Sequence, residues 1–69
     1  MNKLINVIEQ NHVQYNKLGN SEVITLQVNE LFDQDIIEYL KEHYRFDYKG
    51  ICIYYVERTN EIWIENMNA

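Results

Sequence analysis

The chain has 69 residues, and its eleven acidic and six basic side chains give a net charge of −5. This charge disfavours direct binding to nucleic acid or to an anionic membrane, because such binding needs Lys and Arg to neutralise phosphates. The single cysteine excludes an internal disulfide, and no run approaches the ~18 apolar residues of a membrane span. We therefore expect one small α+β domain, residues 1–69, that gains stability from a homodimer or a larger partner.

The first ten residues hold one lysine and a short apolar stretch that Asn6 interrupts. A secretory signal needs a longer apolar run and a small-residue cleavage site. We therefore expect a cytoplasmic protein in which Cys52 is a reduced thiol. The many Asn, Ile, Lys and Tyr residues have A/T-rich codons, which suggests a low-G+C bacterium or its phage.

The first half of the chain predicts one helix and two strands. Apolar residues at helical spacing over residues 2–10 predict the helix, which we expect Asn11 to end. Residues 12–18 fit either a strand or a continuing helix; we favour a strand, followed by a turn at Gly19-Asn20. Residues 22–28 alternate apolar and polar side chains, which predicts a half-buried strand.

The central segment predicts a helix that begins after Asp33. The carboxylate of Asp33 suits an N-cap, and the spacing of Phe32 and Ile37 suits a hydrophobic staple. Apolar residues recur every fourth position along one expected buried side: Phe32, Ile36, Leu40 and Tyr44.

The last third predicts a β-hairpin that is apolar on both faces. One face carries Ile51, Ile53, Tyr55, Ile62 and Ile64, and the other carries Cys52, Tyr54, Val56, Trp63 and Met67. The loop is either the pair Thr59-Asn60 or longer, and an even length preserves the pairing of faces. The predicted order is α-β-β-α-β-β: an antiparallel sheet of about four strands, with helices packed on one face.

We expect the isoleucine face of the hairpin to lie under the helices, which makes the second face the outer one. Tyr54, Val56 and Trp63 would then form an apolar patch of the kind that marks an interface. The alternative is that the N-terminal helix or the chain end folds over this patch and makes it ordinary core.

A second candidate surface is an acidic flank on the central helix. At 100° per residue, Asp35, Glu38 and Glu42 lie on one side, with Tyr39 at its border. The like charges at Glu38 and Glu42 repel each other weakly, which is consistent with a basic partner. The alternative is a solvated helix face that serves solubility.

Catalytic, cofactor and metal sites have little support in the sequence. Cys52 with His43 or His12 would be a candidate thiol nucleophile, but Cys52 lies inside an apolar strand, where a thiol is usually inert. No ligand spacing for a metal and no glycine-rich phosphate loop occurs. Residues 41–49 interleave basic and aromatic side chains, a pattern that suits binding to single-stranded nucleic acid. The net negative charge of the chain opposes such binding.

The sequence therefore predicts a small acidic protein-binding module without catalysis or cofactor. We expect an inhibitor or regulator that occupies a basic, nucleic-acid-binding surface of a partner protein, and small acidic phage proteins that block host nucleases resemble this chain in size and charge. The expected partner-binding residues are Asp35, Glu38, Tyr39, Glu42, Tyr54, Val56, Trp63 and Glu65. The alternative is a homodimeric structural or regulatory subunit that uses the same outer face; a nucleic-acid-binding protein ranks below both.

Overall fold

The computed structural model describes residues 2–28 and 34–69. Its elements in chain order are helix α1 (Asn2–Asn16), strand β1 (Val23–Gln27), helix α2 (Gln34–His43), and strands β2 (Arg45–Tyr48), β3 (Ile51–Val56) and β4 (Glu61–Asn66).

The four strands form one antiparallel sheet in the order β1-β4-β3-β2. Both helices contribute to the same buried cluster as the isoleucines of the sheet, so both pack on one face, which we call the inner face. The α+β class, the antiparallel sheet and the helices on one face are confirmed.

The predicted strand at residues 12–18 is wrong, because α1 continues through Asn16. Asn11 does not end the helix; its side-chain amide donates a 2.8 Å hydrogen bond to the carbonyl of Val7, one turn earlier. Tyr15 is buried in the core together with Leu4 and Ile8, so one apolar stripe runs the length of the helix. The fourth strand is β2, which follows α2.

The predicted stripe of α2 is right in its middle and wrong at its end. Ile36 and Leu40 are buried, and Ile37 joins them. Tyr44, however, is 82% exposed and has a φ of 72°, because the helix ends at His43 and the chain turns there into β2. The N-cap at Asp33 and the staple partner Phe32 lie outside the described residues.

Two hairpins connect the last three strands. Lys49 and Gly50 have φ values of 51° and 79°, as a two-residue type I′ turn requires. Residues 57–60 form the second loop, so Val56 pairs with Glu61 and Tyr54 pairs with Trp63. The loop is longer than Thr59-Asn60, but its even length keeps the expected faces together.

The core lies between the helices and the inner face of the sheet. Among the described residues, seven large side chains are less than 2% exposed: Leu4, Ile8, Leu40, Ile51, Ile53, Ile62 and Ile64. The predicted isoleucine face is therefore the buried one, and this burial leaves the opposite face of the sheet without a described helix over it.

Candidate functional site

The candidate site is the sheet face opposite the helices, which we call the outer face. Side chains alternate along each strand, so the strand register assigns eleven residues to it. They are Val23, Thr25 and Gln27 on β1, Glu61, Trp63 and Glu65 on β4, Cys52, Tyr54 and Val56 on β3, and Arg45 and Asp47 on β2.

An aromatic pair occupies the centre of the outer face. Tyr54 and Trp63 are direct cross-strand partners, with ring centroids 6.0 Å apart and planes tilted by 56°. Thr25 lies beside Trp63 and Arg45 beside Tyr54, so one row crosses all four strands. Both rings are only half-buried, which is the state of an aromatic pair without a helix over it.

Hydrogen bonds hold both rings to carboxylates of the same face. The indole Nε1 of Trp63 donates to Glu61 Oε1 at 3.2 Å, and the hydroxyl of Tyr54 donates to Glu65 Oε1. Burial and the bond to Glu65 raise the pKa of Tyr54 to about 12. Hydrogen bonds from Thr59 and Trp63 lower the pKa of Glu61, so this carboxylate is ionised at neutral pH.

One ion pair lies at the β2 edge of the face. Arg45 donates to both oxygens of Asp47, with its Nη2 2.7 Å from Oδ2 and its Nε 3.1 Å from Oδ1. The pair lowers the pKa of Asp47 and raises that of Arg45. Three carboxylates (Asp47, Glu61 and Glu65) against one guanidinium leave the outer face with a formal charge of −2.

An open recess lies beside the aromatic pair. Its volume is about 340 Å³, and it is lined by Tyr44, Arg45, Cys52, Tyr54, Glu65 and Met67. Tyr44 and Met67 are 82% and 53% exposed, so the recess offers apolar rim surface next to the carboxylate of Glu65.

The predicted site residues fall on two layers of the molecule. Tyr54, Val56, Trp63 and Glu65 lie together on the outer face. Asp35, Glu38 and Glu42 are exposed on α2, the helix that packs on the inner face, and Asp35 pairs with Lys3 at 3.1 Å. The structure therefore does not bring the acidic flank next to the aromatic pair.

Tyr39, the border residue of the acidic flank, is engaged within the domain. Its ring stacks on His43 with centroids 4.1 Å apart and meets Phe46 edge-on at 6.1 Å. Tyr39 is half-buried against the core, so packing accounts for its position on the helix.

Cys52 has the properties of a buried structural thiol. It is 3% exposed, and burial together with a hydrogen bond to Asp47 raises its pKa to about 12. His43 lies exposed on α2, with Nδ1 3.1 Å from the carbonyl oxygen of Tyr39. Neither His43 nor His12 contacts the thiol among the described residues, so these three groups do not form a nucleophile and base.

We expect the native protein to react with iodoacetamide at least roughly 1000-fold more slowly than the chain unfolded in urea at the same neutral pH. The reason is that a rise in the thiol pKa from 9.0 to about 12 depletes the reactive thiolate, and burial adds to this. Mass spectrometry of timed samples measures both rates. Equal rates in the native and unfolded states would show that Cys52 is accessible.

The basic side chains of residues 41–49 have partners inside the domain. Lys49 pairs with Glu9 at 3.0 Å, Arg45 pairs with Asp47, and the Lys41 ammonium lies 5.4 Å from the ring centre of Tyr55. Each of these three cationic groups thus has an acidic or aromatic neighbour within the domain.

Residues 2–28 and 34–69 contain neither a metal-binding cluster nor a membrane-spanning helix. No cluster of three or more His, Cys, Asp or Glu side chains there is arranged to hold a metal ion. No helix in the same ranges has the length and apolar character to cross a membrane.

The sequence reasoning missed the contribution of β2 to the outer face. Arg45 and Asp47 point to that face while Phe46 and Tyr48 point inward, so residues 45–48 alternate polar and apolar side chains. This period of two is the sequence signal that predicts a strand at residues 45–48.

Comparison of the chain with models of protein families, with curated proteins and with solved structures gives no match. The class that the structure itself defines is a small acidic α+β domain with a four-stranded antiparallel sheet.

Proposed function

We propose that this domain is a non-catalytic protein-binding module that docks its outer face onto a basic surface of a partner protein and so inhibits or regulates that partner. The observation that carries the proposal is the Tyr54–Trp63 pair, which lies on a sheet face without a described helix over it and is framed by carboxylates.

The aromatic pair supplies the apolar anchor in this proposal. Trp and Tyr are the side chains most enriched at the energetic centres of protein interfaces. The hydrogen bonds to Glu61 and Glu65 restrict both rings before any partner arrives. Because less side-chain entropy remains to be lost, more of the contact energy appears as affinity.

The charge of the outer face argues for a basic partner. Glu61 and Glu65 lie four residues apart on one strand, roughly 13 Å, with Trp63 between them. Carboxylates at intervals around an aromatic pair resemble spaced phosphates, so they suit a basic surface of the kind that binds nucleic acid. The proposal includes a cytoplasmic location, where Cys52 stays reduced.

The acidic flank on α2 contributes at longer range. Asp35, Glu38 and Glu42 lie on the other layer, but the domain measures only 28 × 25 × 21 Å. At moderate salt a field that decays over about 8–10 Å is largely screened across this distance, so the flank acts on an approaching partner chiefly at low salt. We therefore assign this flank to steering and the outer face to contact.

A homodimer through the outer face is less favoured by the same charges. Two copies packed face to face would bring net −2 against net −2, and Arg45 is already bound to Asp47 within its own chain. A basic partner meets no such repulsion.

The test uses two double variants that remove the same charge from different layers. Glu61→Gln with Glu65→Gln neutralises the outer face and keeps oxygen acceptors for Trp63 and Tyr54. Glu38→Gln with Glu42→Gln neutralises two exposed carboxylates of α2. Against a purified partner, the first pair is expected to lower affinity roughly tenfold or more and the second chiefly to slow association by a few-fold.

The partner itself is found by affinity capture with the wild-type chain and with Trp63→Ala. Proteins that wild type retains and Trp63→Ala loses are taken forward for the rate measurements by surface plasmon resonance at two salt concentrations. Retention of the same proteins by Trp63→Ala would overturn docking through the outer face. Equal effects of the two double variants would show that only net charge matters.

A further inference from the structure

The two edges of the sheet differ in charge. The strand order places β1 at one edge and β2 at the other. The β2 edge carries Arg45 and Asp47, and charged side chains on an edge strand oppose pairing with further strands. The β1 edge, Val-Ile-Thr-Leu-Gln, contains neither a charge nor a proline.

The register identifies the backbone groups that face outward from β1. The N–H of Met67 donates to the carbonyl of Gly50 at 2.7 Å, so this pair continues the β3–β4 ladder as a hydrogen-bonded pair. Hydrogen-bonded and non-bonded pairs alternate in antiparallel ladders. Residues 61, 63 and 65 of β4 therefore bond to β3, and residues 62 and 64 bond to β1.

Ile64 and Ile62 pair with Ile24 and Leu26, so these two β1 residues use their N–H and C=O groups within the sheet. By alternation, the N–H and C=O groups of Val23, Thr25 and Gln27 point away from β4. The open edge thus presents three donors and three acceptors in a row, and no described strand pairs with them.

We infer that β1 is a homodimer edge, at which a second copy of this chain adds its own β1 in antiparallel orientation. A two-fold axis at Thr25 places Thr25 opposite Thr25 of the second copy and Val23 opposite Gln27 of the second copy. In all three pairs, both residues have backbone N–H and C=O groups that point away from their own sheet. Each pair forms two hydrogen bonds, so six bonds satisfy the open backbone groups of both β1 strands.

Packing on the inner face supports this occupant. Ile24 and Leu26 point inward but are only half-buried, because they lie at the margin of the helical layer. The two-fold axis brings Ile24 against Leu26 of the second copy as a close, non-hydrogen-bonded pair. Each copy thus covers apolar surface of the other copy that the other copy's helices leave partly open.

Charge also favours a second copy at this edge over one at the outer face. The β1 strand is neutral, so its self-pairing brings no like charges together, unlike two outer faces. The dimer joins two four-stranded sheets into one of eight strands, whose remaining edges are the charged β2 strands. Both outer faces lie on the same side of this sheet. Because the contact between the copies runs along the edge of β1, the dimer goes beyond the proposed function and does not depend on it.

The first test is amide hydrogen exchange by NMR at micromolar and millimolar concentrations, together with sedimentation. We expect a dimer at the higher concentration, with protection of the Val23, Thr25 and Gln27 amides rising roughly tenfold or more on assembly. Ile24 and Leu26 should stay protected at both concentrations, since they bond within the chain. A monomer at millimolar concentration, or a dimer in which the three amides exchange as freely as in the monomer, would overturn the inference.

The second test uses a matched pair of variants at the two-fold axis. Thr25→Pro removes only an outward N–H, a place where an edge strand tolerates proline, so the chain should fold and sediment as a monomer. Thr25→Val keeps the N–H and nearly the same volume, so its dimer should persist. The Trp63→Ala variant should also remain dimeric. Loss of the dimer in this variant would show that the contact between the copies lies on the outer face and not at the β1 edge. A folded Thr25→Pro that still dimerises would refute the edge; the wild-type exchange pattern decides the matter if this variant does not fold.

Discussion

Replacement of Ile64 by Ala is expected to lower the free energy of unfolding by about 2–5 kcal/mol. Ile64 is 0% exposed and lies between Ile53 and Ile24 on the inner face, so the shorter side chain leaves a cavity under the helices. A chain of 69 residues has a total stability of only about 3–10 kcal/mol, so this loss is a large fraction of the total. Urea denaturation followed by circular dichroism measures the loss.

The neighbouring residue Trp63 supplies the control for this prediction. It lies one position along the same strand but on the outer face, where it is half-buried. Although Trp63→Ala removes more atoms than Ile64→Ala, it should cost less than about 2 kcal/mol of stability. A cost equal to that of Ile64→Ala would show that the outer face is a second core, contrary to its assignment as a binding surface.

The second large effect is expected at Gly50. Its φ of 79° lies in the left-handed region, and a Cβ there would clash with the Asn68 side chain. Gly50→Ala should lower the free energy of unfolding by about 1–2 kcal/mol from the backbone conformation alone, with the contact adding to it. Loss of the turn would disturb the β2–β3 pairing, which NMR of the strand amides would detect.

Two further variants separate the causes at Gly50. Asn68→Ala removes the obstructing side chain, so in this background Gly50→Ala should cost only the backbone part. Gly19→Ala is the matched glycine control: its added Cβ would meet the flexible carboxylate of Glu22 at 2.7 Å, and the cost should be smaller. An equal cost at both glycines would contradict the role given to the left-handed turn.

A dimer through β1 would present two outer faces side by side. A partner that offers two basic surfaces, or a partner that is itself a dimer, would then bind with the gain that comes from linked sites. Thr25 also lies on the outer face beside Trp63. Comparison of Thr25→Pro with Thr25→Val therefore separates loss of the dimer from a change of the outer face, and Trp63→Ala tests the outer face alone.

Local sequence patterns predicted the C-terminal hairpin and the middle of α2 correctly. The alternation in residues 51–56 and 61–65 assigned the isoleucines to the core and both Tyr54 and Trp63 to the opposite face. The same reasoning failed at residues 12–18, because Tyr15 fits an apolar helix stripe and a strand alternation equally well over so short a window. Burial beside Leu4 and Ile8 decided in favour of the helix.

The composition of the candidate site was only partly predictable. Tyr54, Val56, Trp63 and Glu65 follow from strand alternation, which is a local property. Arg45 and Asp47 required the knowledge that α2 ends at His43 with a left-handed residue after it. Positive φ at a tyrosine has no clear sequence signal, since such positions usually hold Gly or Asn.

The sequence by itself determined that this is a small acidic α+β domain whose last hairpin has two apolar faces, because composition and side-chain alternation are properties of the chain. Only the tertiary structure decided that both helices cover the isoleucine face, that the acidic flank lies on the other layer from Trp63, and that β1 ends the sheet as a neutral edge. These relations depend on contacts between residues far apart in the chain, and local patterns do not encode which elements become neighbours.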